Sequence, residues 1–480
     1  MNFTWVEENA LVLGFYLLIA LLIYIYRKRF EFQGIVLLLK TKLGIKSMKR
    51  FATPLPEKKD FFGRRLFVVS TFVLIASVVF FFFQLFFGAI SPDFFFATRL
   101  LLFVSFLGLC VSIVFFRQIK LAGTMGVYVG FFGMFLMVAL IVFSAYLLFF
   151  VPSAPPMFAP VLPGISIPGV DFKLPLFEGL IALLIVVAIH EFSHGVVSKA
   201  YKIPIKSSGF VMFGPLPGAF VEPDEKKLAK SSKKTQLSVY GAGPFSNMLL
   251  AFFILFIIIL LTSSLYDYEP YATSVTGFTQ ADGLDERGVS SFQKGEIILG
   301  VNNQSLREID AGILERYNES FGSLDGVSIL VYAIVNNFEP GDEVIIQTNK
   351  ANRSIILGAS PRNESVPIIG VHLDTAVIGK TRLSENDAFN SVYFWLFGNQ
   401  FSRDINQNLG LFYLVFVLSF GIGIFNLLPA GPLDGGRMFY VFFKDKIGER
   451  TTSMLLSILS WTFFVTIIIL VFVPIIRAVI

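Results

Sequence analysis

One cysteine, Cys110, stands in the 480 residues of this chain, and histidine occurs three times. A lone cysteine excludes an intrachain disulfide and any metal site built from cysteine thiolates. Charge is scarce as well. Asp, Glu, Lys and Arg make up 15% of the residues, where soluble domains carry about 25%. The net charge of +5 is small, and its basic residues gather in a few connections, a pattern of membrane topology that gives no nucleic-acid partner. What fills the chain instead is apolar: 55% hydrophobic residues and a mean hydropathy of +0.71. This composition reads as a polytopic α-helical membrane protein.

Apolar runs of about 17–25 residues are long enough to cross a bilayer. Eight such runs stand at 10–26, 66–90, 99–116, 126–151, 176–199, 243–264, 409–429 and 453–476. The first follows Glu7 and Glu8 and precedes Arg27, Lys28 and Arg29. That order reverses a signal peptide, so the run is expected to be retained as a helix. Basic residues concentrate in 27–65, 117–125, 200–235 and 437–450, which are alternate connections. The positive-inside rule places these four in the cytoplasm, with both termini outside and the lipid bilayer as the surroundings of the chain.

Three connections have more to say. Residues 152–175 are rich in proline and glycine and read as an extended outer connector. The apolar stretch 207–221 is interrupted by Gly209, Gly214, Pro215, Pro217 and Gly218. It cannot span as a helix, and a β-hairpin or re-entrant loop is expected, either lining a cleft or bare on the surface. Residues 265–384 are polar, acidic and without a spanning run, enough for one extracytoplasmic mixed α/β domain. Alternating runs at 343–348 and 353–357 read as strands, and 306–318 as a helix. Sequons at Asn303, Asn318, Asn352 and Asn363 agree with an outside location. The expected organisation is therefore 1–151 (four helices with the basic segment 27–65), 152–264, the 265–384 domain, and 385–480.

The costliest residues lie in 176–199, whose end reads His190-Glu191-Phe192-Ser193-His194-Gly195. An ionisable group at a membrane helix centre costs about 2.5–3.5 kcal/mol by insertion scales, so such a cluster is a functional candidate. Histidines four apart share one helix face. Both can reach one metal ion, with Glu191 beside it as a base. A zinc site of the catalytic kind takes three protein ligands. The third histidine, His372, belongs to the outer domain and is set aside. Asp434, in Asn426-Leu427-Leu428-Pro429-Ala430-Gly431-Pro432-Leu433-Asp434-Gly435, falls at the same inner end as His194. Each motif alone has an ordinary explanation: helix histidines satisfied by carbonyls, and a helix end with turn chemistry.

Taken together, the two motifs resemble the site-2 proteases, intramembrane zinc metalloproteases that pair His-Glu-x-x-His-Gly with Asn-x-x-Pro-x-x-Pro-x-Asp-Gly. The glycine-rich stretch after the first motif and Gly243-Pro244-Phe245-Ser246-Asn247 opening the next span fit the same pattern. The resemblance implies that His190, His194 and Asp434 hold Zn2+, that Glu191 is the catalytic base, and that Asn426 contacts the substrate or developing oxyanion. It implies transmembrane proteins as substrates, and a PDZ-like fold for 265–384 that could hold a peptide or substrate segment. Asp282-Gly283-Leu284, Gly295–Asn302 and Pro367–Val371 carry that last likeness. Residues 1–151 are outside the shared core and receive no chemistry. The competing classes are a prenyl-type zinc protease, which wants a glutamate third ligand, a catalytically inactive binding or chaperone protein of the same fold, and a transporter using the His/Asp cluster as a relay.

Overall fold

The computed structural model describes residues 4–33, 36–87, 92–151, 158, 162–165, 174–213, 216–278, 288–293, 296–306, 308–309, 326–360, 363–381, 395–397 and 410–479. The chain forms two compact units, 1–259 with 410–480, and 260–409.

The first unit is helical: α1 (Thr4–Ile25), α2 (Ile45–Ala52), α3 (Glu57–Phe87), α4 (Pro92–Val114), α5 (Ile119–Phe150), α6 (Leu176–Ala200), α7 (Glu225–Ala229), α8 (Lys233–Leu265), α10 (Leu411–Phe425), α11 (Asp434–Ile447) and α12 (Glu449–Val479). Five have the length and apolarity to cross a membrane: Glu57–Phe80, Ile119–Phe150, Leu176–Ala200, Lys233–Ile258 and Glu449–Arg477. Their outer faces are apolar and exposed, as Trp461, Phe464, Ile468 and Phe472 are along α12, which fits contact with lipid. The other three expected runs are helices too, with described apolar stretches of Val12–Ile25, Leu100–Val114 and Leu411–Phe425. The run expected at 409–429 thus stops early. A 15-residue helix rises only about 22 Å, because the chain turns at Asn426 ahead of Pro429 and Pro432.

The interrupted stretch forms a hairpin, β3 (Ile205–Phe213) and β4 (Leu216–Pro223), with its tip, 214–215, outside the described residues. Unexpectedly, the basic N-terminal segment belongs to the same structure. It supplies β1 (Glu31–Gln33) and β2 (Val36–Thr41), and β2 pairs along β3 from Val36↔Phe213 to Thr41↔Ser208. The sheet order is β1-β2-β3-β4 and every pairing is antiparallel. Helix α2 then seats Met48, 3% exposed, among Val196, Val197 and Ile205. Residues 31–52 therefore brace α6 and the hairpin. The reading from sequence missed this because the pairing is long-range.

Two further contacts tie the basic connections together. Arg117 donates from its guanidinium to the Thr53 carbonyl (3.2 Å), and Lys233 donates to the Phe442 carbonyl (2.7 Å). With the β2–β3 ladder, these contacts link all four basic connections to one another.

The second unit holds β5 (Tyr266–Phe278), β6 (Ile297–Val301), β7 (Gln304–Ser305), helix α9 (Gly326–Asn337), β8 (Glu343–Thr348), β9 (Asn352–Ile356), β10 (Gly358–Ser360), β11 (Asn363–Ile368) and β12 (Val371–Thr381). The main sheet runs β12-β5-β6-β8-β9, with β7 on β6. Alternate residues of β6 and β8 (Ile298, Val344, Ile346) meet one face of α9 (Ile329, Leu330, Ile334) in its core. The strands expected at 343–348 and 353–357 are present as β8 and β9, paired antiparallel. Pro367–Val371 is not one strand: it breaks at Gly370, whose φ of +95° turns β11 into β12. Asp282, Gly283, Leu284 and most of the expected 306–318 helix lie outside the described residues. Within the core, burial pushes the Glu296 carboxyl up, but the Thr348 hydroxyl (2.6 Å), Arg353 (3.0 Å) and the Gln293 N–H (2.9 Å) outweigh it. They hold the group below its ordinary value. First and last strands pair, with Tyr266 opposite Thr381, so the two ends of the insertion leave side by side.

Candidate metal centre

Helix α6 buries one stripe along its length, and Gly179, Ala182, Val186, His190 and His194 fall on it. Four residues advance a helix by about 6 Å, so the last two imidazoles meet edge to face on the buried side of the helix. They are 6% and 9% exposed, with ring centroids 4.8 Å apart. Helix α8 crosses directly beside them. A Cβ at Gly243 would collide with Nε2 of both histidines, so only glycine lets the two helices approach this closely. From the same helix, the Val239 carbonyl oxygen lies 2.7 Å from His194 Nδ1, and the Asn247 amide lies 3.2 Å from His190 Nδ1.

The third member arrives from the broken end of α10. The chain leaves that helix at Asn426, turns through Pro429 and Pro432, and re-enters a helix at Asp434. The Gly435 N–H donates to the Asn426 carbonyl (2.7 Å). A side chain at Gly435 would strike the Leu427 carbonyl, so the turn needs glycine there. Asp434 opens α11, where the helix N-terminus favours a carboxylate.

Asp434 Oδ2 lies 3.1 Å from His190 Nε2 and 3.3 Å from His194 Nε2, and the two Nε2 atoms are 3.2 Å apart. This triangle fits one ion. Four ligands at about 2.0–2.1 Å from a tetrahedral zinc stand roughly 3.3–3.4 Å from each other. Among the described residues these three form the group whose ligand atoms could share a metal. The donor set is two imidazoles and a carboxylate, a set that leaves the fourth position open.

Glu191 stands beside the triangle. Its Oε2 accepts the Val221 N–H of β4 at 3.0 Å, so the hairpin edge runs along the site. A cavity of about 260 Å³ reaches it, lined among others by His190, Glu191, His194, Val221, Tyr240, Asn426, Asp434 and Arg437. The structure thus brings His190, Glu191, His194, Asn426 and Asp434 to one place, while His372 stands on β12 opposite Gly277. Sequence reading gave no role to Val239, Tyr240, Gly243, Asn247 or Arg437. The run Gly243–Asn247 was visible as a motif, but its placement against the imidazoles requires the crossing of α8 and α6.

Fold and site together define a helical membrane protein with a buried His/His/Asp metal-binding triangle and an adjacent glutamate. The family model described as Peptidase family M50 matches residues 178–470, and the chain belongs to that family, the site-2 proteases. An uncharacterized Methanocaldococcus jannaschii protein is 28% identical over 281 residues, which span 58% of this chain and 60% of that protein's length. Two proteins named, provisionally, as zinc metalloproteases also match. The one from Fusobacterium nucleatum is 22% identical over 55% of this chain and 87% of its own. The one from Clostridium acetobutylicum is 23% identical over 58% of this chain and 90% of its own.

Proposed function

We propose that this protein is a zinc-dependent intramembrane endopeptidase that cleaves transmembrane helices of membrane-anchored substrates, the chemistry of regulated intramembrane proteolysis. The triangle of His190 and His194, buried on a membrane-crossing helix, with Asp434 at the start of α11, is sized for a tetrahedral ion and carries this reading. Zinc, held by those three side chains, supplies a Lewis acid that activates water and polarises the scissile carbonyl. Glu191 takes the proton from the attacking water and delivers it to the leaving nitrogen as the C–N bond breaks. Asn426, on the cavity wall, donates to the substrate carbonyl oxygen as negative charge develops there.

A membrane helix bonds its own carbonyls internally, so it must unwind before attack. Strand addition onto β4 satisfies the freed groups. Val221 directs its N–H away from β3 toward Glu191, so Ala219 and Pro217 face outward with it by the two-residue period. Pro217 has no N–H, and that of Val221 is already used. Ala219 is then the donor that this edge offers an incoming strand. Residues 265–384, read as PDZ-like and extracytoplasmic, would meet a substrate segment outside. The four basic connections lie in the cytoplasm, with the metal centre near that side and both termini outside.

Purified protein is expected to hold near-stoichiometric zinc, lost in His190→Ala and in Asp434→Ala. Wild-type protein that takes up no zinc would end the protease reading and favour a non-catalytic binding role.

A further inference from the structure

Asn247 is wholly buried on α8, at the point where α8 meets both α6 and α10. Its backbone carbonyl accepts the Ser419 hydroxyl of α10 (2.9 Å), and its Cβ lies 3.1 Å from where a side chain at Gly423 would begin. The amide is thus pinned in place. Among the described residues its one side-chain hydrogen-bond partner is His190 Nδ1, at 3.2 Å, and the other end of the amide, Oδ1, has none. Burying an amide whose oxygen has no partner is unfavourable. Packing alone would be served better by an apolar side chain of the same size.

His190 explains what the amide does. Its Nε2 faces His194 and Asp434, so a metal held there takes the Nε2 lone pair. A neutral imidazole carries one proton, which must then sit on Nδ1 and needs an acceptor. An amide NH2 cannot accept, whereas the amide oxygen can, and the two ends exchange by a half-turn about the Cβ–Cγ bond with little change of shape. His194 follows the same logic: its Nδ1 faces the Val239 carbonyl, which only accepts. Metal-bound histidines commonly direct the second nitrogen to such an acceptor.

We infer that Asn247 is a positioning residue of the metal centre: its Oδ1 accepts the His190 Nδ1–H and thereby fixes the tautomer and ring orientation that present Nε2 to the ion. This inference rests on the zinc reading above. In full-length protein, zinc affinity measured by chelator competition is expected to fall on the order of 10–100-fold in Asn247→Leu. Asn247→Asp, whose carboxylate accepts the same proton, is expected to stay within about threefold of wild type. A role in packing alone gives the reverse order, because leucine fills the space and aspartate buries a charge. Wild-type affinity in Asn247→Leu, or weaker binding in Asn247→Asp than in Asn247→Leu, would overturn the assignment. If Asn247→Leu does not fold, Asn247→Asp decides by itself, and a tenfold loss there overturns it. Wild-type protein without zinc would instead overturn the reading beneath.

Discussion

His190, His194 and Asp434 are separated by up to 244 residues of sequence, yet their ligand atoms form a triangle with edges of 3.1–3.3 Å. Two of the three were legible from spacing alone, because positions four apart on a helix share a face. The third was legible only through the pairing of the two motifs and the resemblance it carries, since the Pro429/Pro432 turn before a carboxylate has an ordinary explanation by itself. What spacing could not give is the partner on the far side of each imidazole, Val239 and Asn247, since those contacts depend on how α8 crosses α6. The same crossing gives Gly243 its weight. Gly243→Ala is expected to push the imidazoles apart and lower zinc affinity by at least about tenfold, with the helical content of the protein retained. Unchanged affinity by chelator competition would contradict that placement.

At the scale of elements, the hairpin is the piece the sequence half-revealed. Its glycines and prolines excluded a helix, but not which edge would stay open. That edge is settled by β2, whose pairing with β3 leaves β4 beside Glu191. Pro217 in an edge strand is tolerated where its missing N–H faces away from the ladder, and here it faces the side on which Val221 meets Glu191. Ala219→Pro is therefore expected to leave β3–β4 pairing and zinc content intact while removing one hydrogen bond to substrate. Such a bond is worth about 1–1.5 kcal/mol, roughly a tenfold fall in kcat/KM. Undiminished kcat/KM on a reconstituted single-span substrate would show that substrate does not add to this edge.

For the whole molecule, composition alone gave the membrane class, and the run of basic connections gave a sidedness. Physical contacts among those connections bear on it: the β2–β3 ladder, Arg117 on Thr53 and Lys233 on Phe442. In a Cys110→Ser background, Lys230→Cys is expected to react with a membrane-impermeant thiol reagent only from the cytoplasmic side, and Lys350→Cys only from outside. Labelling of both from one side would reverse that topology. Less was legible for residues 1–151, because a strand that completes a distant sheet and a helix that seats Met48 against α6 leave no local pattern. The reach of the site across the first unit also accounts for its motif spacing: α6 brings two candidate ligands and the candidate base, β4 the edge beside them, and the α10–α11 break the last candidate ligand. Cleavage of a single-span substrate in liposomes by Glu191→Gln, matched to wild type for zinc, tests this most directly. The account predicts full zinc content with cleavage abolished, and unimpaired cleavage would contradict it.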